Sequence, residues 1–227
     1  MVDMQITSPA FSDGSEIPRK YGYKNGNISP PLRISEIPEN TESLILIVDD
    51  PDAKKAVGKV WTHWVVFNIV PYREMWSNDS NQGGTQVDPN TGTIEVVIPE
   101  SKKGWSGCLT EKEWDQAAKH FAASFSSSGF EANRDRLVQN WQDHVGNVTV
   151  NGEELPRYGM LGLNDFGEFA YGGPAPPDAP HTYQFKVYAL DEKVDESLGM
   201  KGNQFAVEQK MKGHIIAEAK LTGTYAP

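Results

Sequence analysis

The chain has 227 residues, a formal net charge of −10 at pH 7 and 38% hydrophobic residues. This length is sufficient for one substantial hydrophobic core, and the composition is that of a globular protein, not of a disordered chain or a coiled coil. Nucleic-acid-binding proteins usually carry a basic stripe, and none is visible here, so we expect no nucleic-acid partner.

Cysteine usage and hydropathy bear on the compartment. Cys108 is the only cysteine, so the fold does not depend on an intrachain disulfide. The first residues show neither the basic segment nor the apolar segment of a secretory signal. No apolar run approaches the ~18 residues that a membrane span needs. We therefore expect a soluble, cytoplasmic protein without stable membrane insertion.

The first segment, residues 5–42, alternates short apolar stretches with turn signals such as Asn25-Gly26 and Ser29-Pro30-Pro31. Gly, Pro and Asn at this spacing are typical of short strands that are joined by tight turns. The pattern favours a mainly β protein, a sandwich of two antiparallel sheets, over a parallel α/β sheet.

Two apolar runs follow, residues 44–48 and residues 63–69, with a polar turn between them. Both are rich in β-branched or aromatic residues and are too short for helices, so they predict two buried strands. Three ionisable residues, Asp50, Asp52 and His63, lie where these strands meet the turn. Ionisable groups at the ends of buried strands need a partner or a ligand, because their desolvation is costly.

The middle of the chain changes character. Residues 73–92 are polar and predict a surface loop, and residues 93–98 predict a short strand. Residues 110–145 predict two helices, the first of which begins at the capping box Thr110–Glu113. An Asn-Gly pair at residues 151–152 predicts a hairpin turn.

The last part returns to the β pattern. Residues 164–177 form a loop rich in Gly and Pro, and residues 181–190 alternate apolar and polar side chains as a half-buried strand does. Residues 203–212 predict a short helix that ends at Gly213. Residues 214–225 predict a final strand.

The candidate site combines Asp50, Asp52, His63 and His181 with the backbone of Gly172-Gly173. Glycines allow close approach of a ligand, and successive N–H groups can form an anion-binding nest. Protonated histidines would add hydrogen-bond donors and positive charge for a phosphate-like group. The carboxylates would orient the histidines, or accept bonds from an amine or hydroxyl of the ligand.

The sequence gives weaker signals for a metal site or for nucleophilic catalysis. Two carboxylates and two imidazoles could hold a divalent metal ion, but the spacing matches no metal-binding motif, so we expect neither a metal nor another cofactor. The sequence around Gly104-Trp-Ser-Gly107 is not a nucleophile elbow, and Cys108 has no basic neighbour that would make it a thiolate. We therefore predict no catalytic nucleophile.

Taken together, the motifs resemble those of the phosphatidylethanolamine-binding protein family, in its bacterial and archaeal branch. The similarity covers residues 5–72 and 159–227. It is carried by Ser8–Phe11, Ser29–Pro31, Asp50–Ala53, Trp61–Ile69, Gly162–Gly167, Tyr171–Pro177, His181–Tyr183, Tyr188–Leu190, Gly213-His214 and Gly223–Tyr225.

The resemblance implies a β-sandwich with a small anion pocket at one end, which in this family binds phosphate-type groups, including phospholipid head groups and phosphorylated residues. It implies ligand-binding roles for a defined set of residues. This set is Asp50, Asp52, Trp61 as a wall of the pocket, His63, Gly173, His181 and Tyr183.

Three departures from the family pattern stand out. Ala175 replaces a glycine that is common in the pocket loop, and Thr182 replaces an arginine that often follows the second histidine. Residues 74–158 are far longer than the usual prokaryotic loop. We therefore predict a single domain, residues 1–227, with an insertion at about 74–158.

We predict a binding module with a pocket for a small anionic or phosphorylated ligand, and regulation of a kinase or protease target as relatives do. The alternative is a hydrolase or metal-assisted enzyme that uses the Asp/His cluster, with His63 or His181 as general base. A third interpretation is an interaction scaffold, in which the insertion is the working surface or a homodimer contact.

Overall fold

The computed structural model describes residues 3–69, 84–87, 94–98, 100, 149–150, 153–154, 159–195, 198 and 202–227. The described strands are β1 (Gln5–Thr7), β2 (Leu32–Ser35), β3 (Ser43–Asp50), β4 (Trp61–Ile69), β5 (Gly84–Val87), β6 (Ile94–Ile98), β7 (Thr149–Val150), β8 (Glu153–Glu154), β9 (Met160–Leu161), β10 (His181–Leu190) and β11 (Ile215–Tyr225). The described helices are α1 (Lys54–Val57) and α2 (Gln204–Met211), with a 3-10 turn at Arg19–Tyr21.

The chain divides into two compact units. One consists of Met1–Gly107 with Tyr158–Pro227, and the other is Cys108–Arg157. In the first unit the described strands form two antiparallel sheets, with the orders β1-β2-β6-β5 and β11-β10-β3-β4-β9. The two sheets form the predicted β-sandwich, which confirms the expected fold class.

Strand β3 lies at the centre of the five-stranded sheet, and all of its residues are buried. Its side chains point alternately to the two faces of the sheet. Ile45 and Ile47 belong to a cluster with Val207 and Met211 of α2, so they face the helix. The residues between them face the sandwich core. A continuous apolar run is therefore what this central strand requires, since each buried Ile, Leu or Val contributes about 1.5–3 kcal/mol.

Helix α2 covers the outer face of this sheet. Asn203 caps it, because its side-chain oxygen accepts a hydrogen bond from the Ala206 amide at 2.9 Å. Val207 and Met211 are buried, whereas Phe205 keeps 69% of its surface exposed. Gly213, at φ +89°, turns the chain into β11 just after the helix, as the sequence predicts.

Several elements differ from the sequence-based expectation. The polar stretch 73–92 contains β5, which pairs with β6, so it is not entirely a loop. The short α1 and β9 were also not expected. Strands β7 and β8 pair antiparallel, as the predicted hairpin requires. The predicted helices of 110–145 lie outside the described residues, and the single domain with an insertion at 74–158 stays a prediction.

None of the helices in the described parts of the chain is long and apolar enough to cross a membrane.

Asn68 occupies a strained position inside β4. It adopts φ +57° and is only 6% exposed, and the ladder between β3 and β4 shifts register beside it. Its side chain donates to the carbonyl oxygen of Val194 and accepts from the Val194 amide, both at 2.8 Å. Asparagine tolerates the left-handed region and here also satisfies two buried backbone groups, so it joins the strand to the segment after β10.

We expect Asn68→Ala to lower the free energy of unfolding by about 2–4 kcal/mol, because it leaves two buried backbone groups unpaired and places a Cβ at positive φ. Asn68→Gly should cost less, since glycine adopts this φ without strain. Urea denaturation measures both. The exposed Asn40→Ala is the control, and a stability of Asn68→Ala equal to that of the control would contradict this role for Asn68.

Candidate functional site

The candidate residues meet at one end of the five-stranded sheet, where β10, β3 and β4 lie side by side. Asp50 is the last residue of β3 and pairs with Trp61, the first residue of β4. His181 begins β10, two residues before Tyr183 on the same buried face. Residues that are far apart in the sequence are therefore brought together because each lies at the same end of a neighbouring strand.

His63 is the extra residue of a β-bulge. Asp49 pairs with Thr62 and Val48 pairs with Trp64, so His63 has no partner on β3. Its carbonyl and its side chain are therefore free for contacts outside the ladder. The imidazole is 98% buried and contacts the ring of Tyr183 edge-on, with the centroids 5.1 Å apart.

His63 and Gly172 are joined by hydrogen bonds in both directions. The Gly172 amide donates to the carbonyl oxygen of His63 at 2.8 Å. In return, Nδ1 of His63 lies 2.6 Å from the Gly172 carbonyl oxygen and 3.1 Å from that of Gly173. Two acceptors at this nitrogen require that Nδ1 carries the proton. Among the described residues no hydrogen bond reaches Nε2 of His63.

Close packing explains both glycines. A Cβ on Gly172 would lie 2.4 Å from the Phe166 ring, and a Cβ on Gly173 would lie 2.2 Å from the Tyr21 carbonyl oxygen. The predicted anion nest is wrong, because both N–H groups already donate within the protein. Gly172 donates to His63, and Gly173 donates to Oδ1 of Asn27 at 2.7 Å.

Aromatic rings form a wall beside His63. Phe166 contacts the His63 ring edge-on at a centroid distance of 5.4 Å and the Trp61 ring at 5.6 Å. Tyr23 stacks on the other side of Phe166 at 4.4 Å. The side chain of Asn164 accepts hydrogen bonds from the amides of Phe166 and Glu168 and so fixes this loop.

His181 lies between two carboxylates. Its Nδ1 is 2.6 Å from Oδ2 of Asp50, and its Nε2 is 3.0 Å from Oδ1 of Asp178. Burial opposes the charged imidazole, but the hydrogen bond and charge of Asp50, followed by those of Asp178, outweigh this effect. The pKa of His181 is therefore raised above the ordinary histidine value of 6.5.

The pKa of His63 moves in the opposite direction. Burial is the largest effect and lowers the pKa of His63 below 6.5, although the glycine carbonyls and the charge of Asp50 oppose it. His63 is thus neutral at a pH at which His181 is charged. The sequence analysis expected both imidazoles to be cationic donors. Only His181 has the raised pKa that favours this role.

The other predicted residues surround this pair. Oδ2 of Asp52 accepts a hydrogen bond from the Thr182 amide at 3.0 Å and so positions the start of β10. The Tyr183 hydroxyl accepts from the Ala175 amide at 3.3 Å, and burial, with the nearby charge of Asp50, strongly raises the pKa of Tyr183. This hydroxyl consequently keeps its proton at all physiological pH values.

Within the part of the chain that the structure describes, no group of three or more His, Cys, Asp or Glu side chains is arranged to hold a metal ion.

Sequence reasoning did not single out several residues of the site. Phe166 was visible only as part of the Gly162–Gly167 motif, and Asn27 was not predicted to belong to the site. Asp178 precedes His181 by three residues in a proline-rich loop and gave no signal. Their roles depend on contacts between distant segments, which periodicity does not reveal.

Comparison with known proteins shows the family of the chain. The family model described as phosphatidylethanolamine-binding protein matches residues 7–115 and 131–226. Most of the stretch 74–158 that we predicted to be an insertion falls inside these ranges.

Relatives from bacteria and archaea are similar over nearly the whole chain. A protein of Chlamydia trachomatis named UPF0098 protein is 31% identical over 224 residues, which are 98% of each chain. One of the same name from Methanothermobacter thermautotrophicus is 31% identical over 222 residues, again 98% of each.

Solved structures share the fold. A phosphatidylethanolamine-binding protein homologue of Chlamydia trachomatis is 28% identical and superposes with a TM-score of 0.60, covering 98% of this chain and 97% of the other. YbcL of E. coli, described as a member of the mammalian family, is 25% identical with a TM-score of 0.61, over 99% and 98% of the two chains.

The two histidines should give stability a pH dependence with opposite slopes. His181 binds its proton more tightly in the folded state, so its contribution is complete below pH 6.5 and is lost as the pH rises through its raised pKa. His63 binds its proton more weakly when folded, so its contribution is complete above pH 6.5 and is lost as the pH falls through its lowered pKa.

Urea denaturation at pH values on both sides of 6.5 measures the free energy of unfolding against pH. His181→Gln should remove most of its fall on the alkaline side, and His63→Gln should remove most of its fall on the acidic side. NMR titration of the imidazole protons measures the two pKa values directly. Coincident pKa values for His63 and His181 would contradict the assignment.

Proposed function

The chain belongs to the phosphatidylethanolamine-binding protein family, and we propose that its site binds a small ligand through an anionic group of the phosphate type. The observation that supports the proposal is the pair of buried histidines with opposite pKa shifts, His181 raised and His63 lowered. Buried ionisable groups with shifted pKa values are typical of ligand and reaction sites.

The two imidazoles offer complementary hydrogen-bonding groups. Charged His181 can donate through Nε2, whereas neutral His63 offers a lone pair at Nε2, because its Nδ1 proton is held by Gly172 and Gly173. A phosphate group that carries one proton matches both, since it accepts from His181 and donates to His63. Below about pH 6 a phosphate monoester keeps one proton, whereas a carboxylate has none and matches only His181.

The aromatic wall suits the remainder of such a ligand. Trp61 is half-buried, and Phe166 links it to the ring of His63. An apolar or cationic group attached to the phosphate can pack against these rings while the phosphate reaches the histidines. This arrangement supports a phosphorylated organic ligand over free phosphate.

The finer function implied by the resemblance, regulation of a kinase or a protease, stays a prediction. Inhibition assays with purified kinases and proteases test it, and no inhibition at a large excess of this protein over the target enzyme would count against it.

An enzymatic function is the second candidate, and one observation favours it. Neutral His63, fixed through Nδ1 and with Nε2 unpaired among the described residues, has the arrangement of a general base. Turnover of phosphate or carboxylic esters by the purified protein, lost in His63→Gln, would support an enzyme over a binding module.

We expect phosphoethanolamine and inorganic phosphate to bind, with phosphoethanolamine the tighter. His181→Gln should weaken both by about tenfold or more, since a hydrogen bond from a charged donor contributes about 1.5–3 kcal/mol. The affinity should fall as the pH rises through the raised pKa of His181. Calorimetry and NMR titration provide the measurements.

His214→Gln is the matched control, because this exposed histidine also contacts a carboxylate, that of Asp191, outside the site. It should leave binding unchanged. The proposal fails if neither ligand produces heat, or shifts of the His63 and His181 signals, at millimolar concentration.

A further inference from the structure

Both ring nitrogens of His181 are occupied by carboxylates of very different exposure. Asp50, on Nδ1, has a side chain that is 4% exposed, whereas Asp178, on Nε2, is 57% exposed. The buried contact belongs to the framework at the end of β3. The exposed contact comes from a loop and can be exchanged for another partner at low cost, since exposed ion pairs contribute little.

This arrangement determines how an anion can reach His181. The Nδ1 proton faces buried Asp50, so only the Nε2 proton is open to a ligand. Asp178 holds that proton at 3.0 Å. A ligand oxygen and the Asp178 carboxylate therefore need the same position, and the two cannot bind there together.

We propose that Asp178 is an autoinhibitory residue of this site: its tethered carboxylate occupies the position on His181 that the anionic group of the ligand takes, and the ligand binds by displacing it. The inference rests on the proposed function and names the residue that lowers the affinity of the site for anions. Every anion that binds Nε2 of His181 must displace the same carboxylate, so its affinity is reduced by the same factor.

The loop is built so that displacement is local. Prolines at 176, 177 and 180 restrict the backbone on both sides of Asp178. Oδ1 of Asp178 also accepts a hydrogen bond from the Ala179 amide at 2.9 Å. Because Oδ1 makes both contacts and the side chain is 57% exposed, a carboxylate displaced from His181 moves into solvent, where water satisfies it.

Selectivity between anions would come from His63 and not from Asp178. A phosphate that carries a proton can accept from His181 and donate to His63, whereas acetate satisfies only His181. Removal of Asp178 should therefore raise the affinity for both anions by the same factor and leave the ratio of the two affinities unchanged.

The test uses the full chain, with inorganic phosphate and acetate as probes, at a pH below 6.5, where His181 is protonated. Asp178→Ala should tighten the binding of phosphate and of acetate by the same factor, about two- to fivefold, because neither anion then has to displace an exposed ion pair. Asp178→Asn, which keeps the shape of the side chain but not its charge, should give affinities between those of Asp178→Ala and the unaltered protein.

Asp191→Asn is the matched control, because Asp191 is a half-exposed carboxylate that lies 3.0 Å from a ring nitrogen of His214. It removes the same charge from the chain without touching the site. NMR titration supplies a readout that does not need a ligand: Asp178→Ala should lower the measured pKa of His181, and Asp191→Asn should not.

The outcomes separate this inference from the proposed function. Equal phosphate affinity of Asp178→Ala and the unaltered protein, or weaker affinity of the variant, overturns the role of Asp178 and leaves the binding site intact. An unchanged pKa of His181 also overturns it. If none of the proteins binds phosphate and no His63 or His181 signal moves, the proposed function itself fails.

Discussion

The site depends on one reciprocal contact, in which the bulged His63 and Gly172 exchange hydrogen bonds through both backbone and side chain. A buried imidazole is costly unless its polar atoms are paired, and a buried loop backbone has the same requirement. Each group here satisfies the other. Because Gly172 approaches too closely for any Cβ, the contact also fixes Phe166 against the histidine ring. The requirement for glycine at position 172 and the position of the Phe166 ring therefore both result from the packing around His63.

The central strand brings the second half of the site to the same place. β3 is apolar and buried on both faces until its last two residues, Asp49 and Asp50. Side-chain alternation sends them to opposite faces. Asp49 accepts from Lys186 and from Gln204 of α2 on the helix face, whereas Asp50 accepts from the Ala53 amide and holds His181 on the other. Each carboxylate has partners that offset its desolvation, so the end of the strand is both polar and ordered.

The sequence predicted the long elements better than the contacts between them. Apolar runs, apolar periodicity and end signals are local properties of the sequence, and they mark the elements β3, β4, β10, β11 and α2. The sequence of β5 has no such signal. The segment is a strand because it pairs with β6. The bulge at His63 was equally hidden, since an extra residue is defined only against a partner strand. The glycines were correctly marked for close approach, but the approach is by the protein itself. Phosphate-type binding, by contrast, stays a prediction.

The opposite pKa shifts of the two histidines follow from these surroundings. His63 meets only neutral carbonyl groups at its protonated nitrogen, so burial dominates and the ring stays neutral. His181 meets a carboxylate at each nitrogen, so attraction dominates despite burial. Two residues of one type, on neighbouring parts of one sheet end, therefore present a lone pair and a charged N–H. Environments that separate two pKa values in this way create a hydrogen-bond acceptor and a hydrogen-bond donor from the same type of side chain.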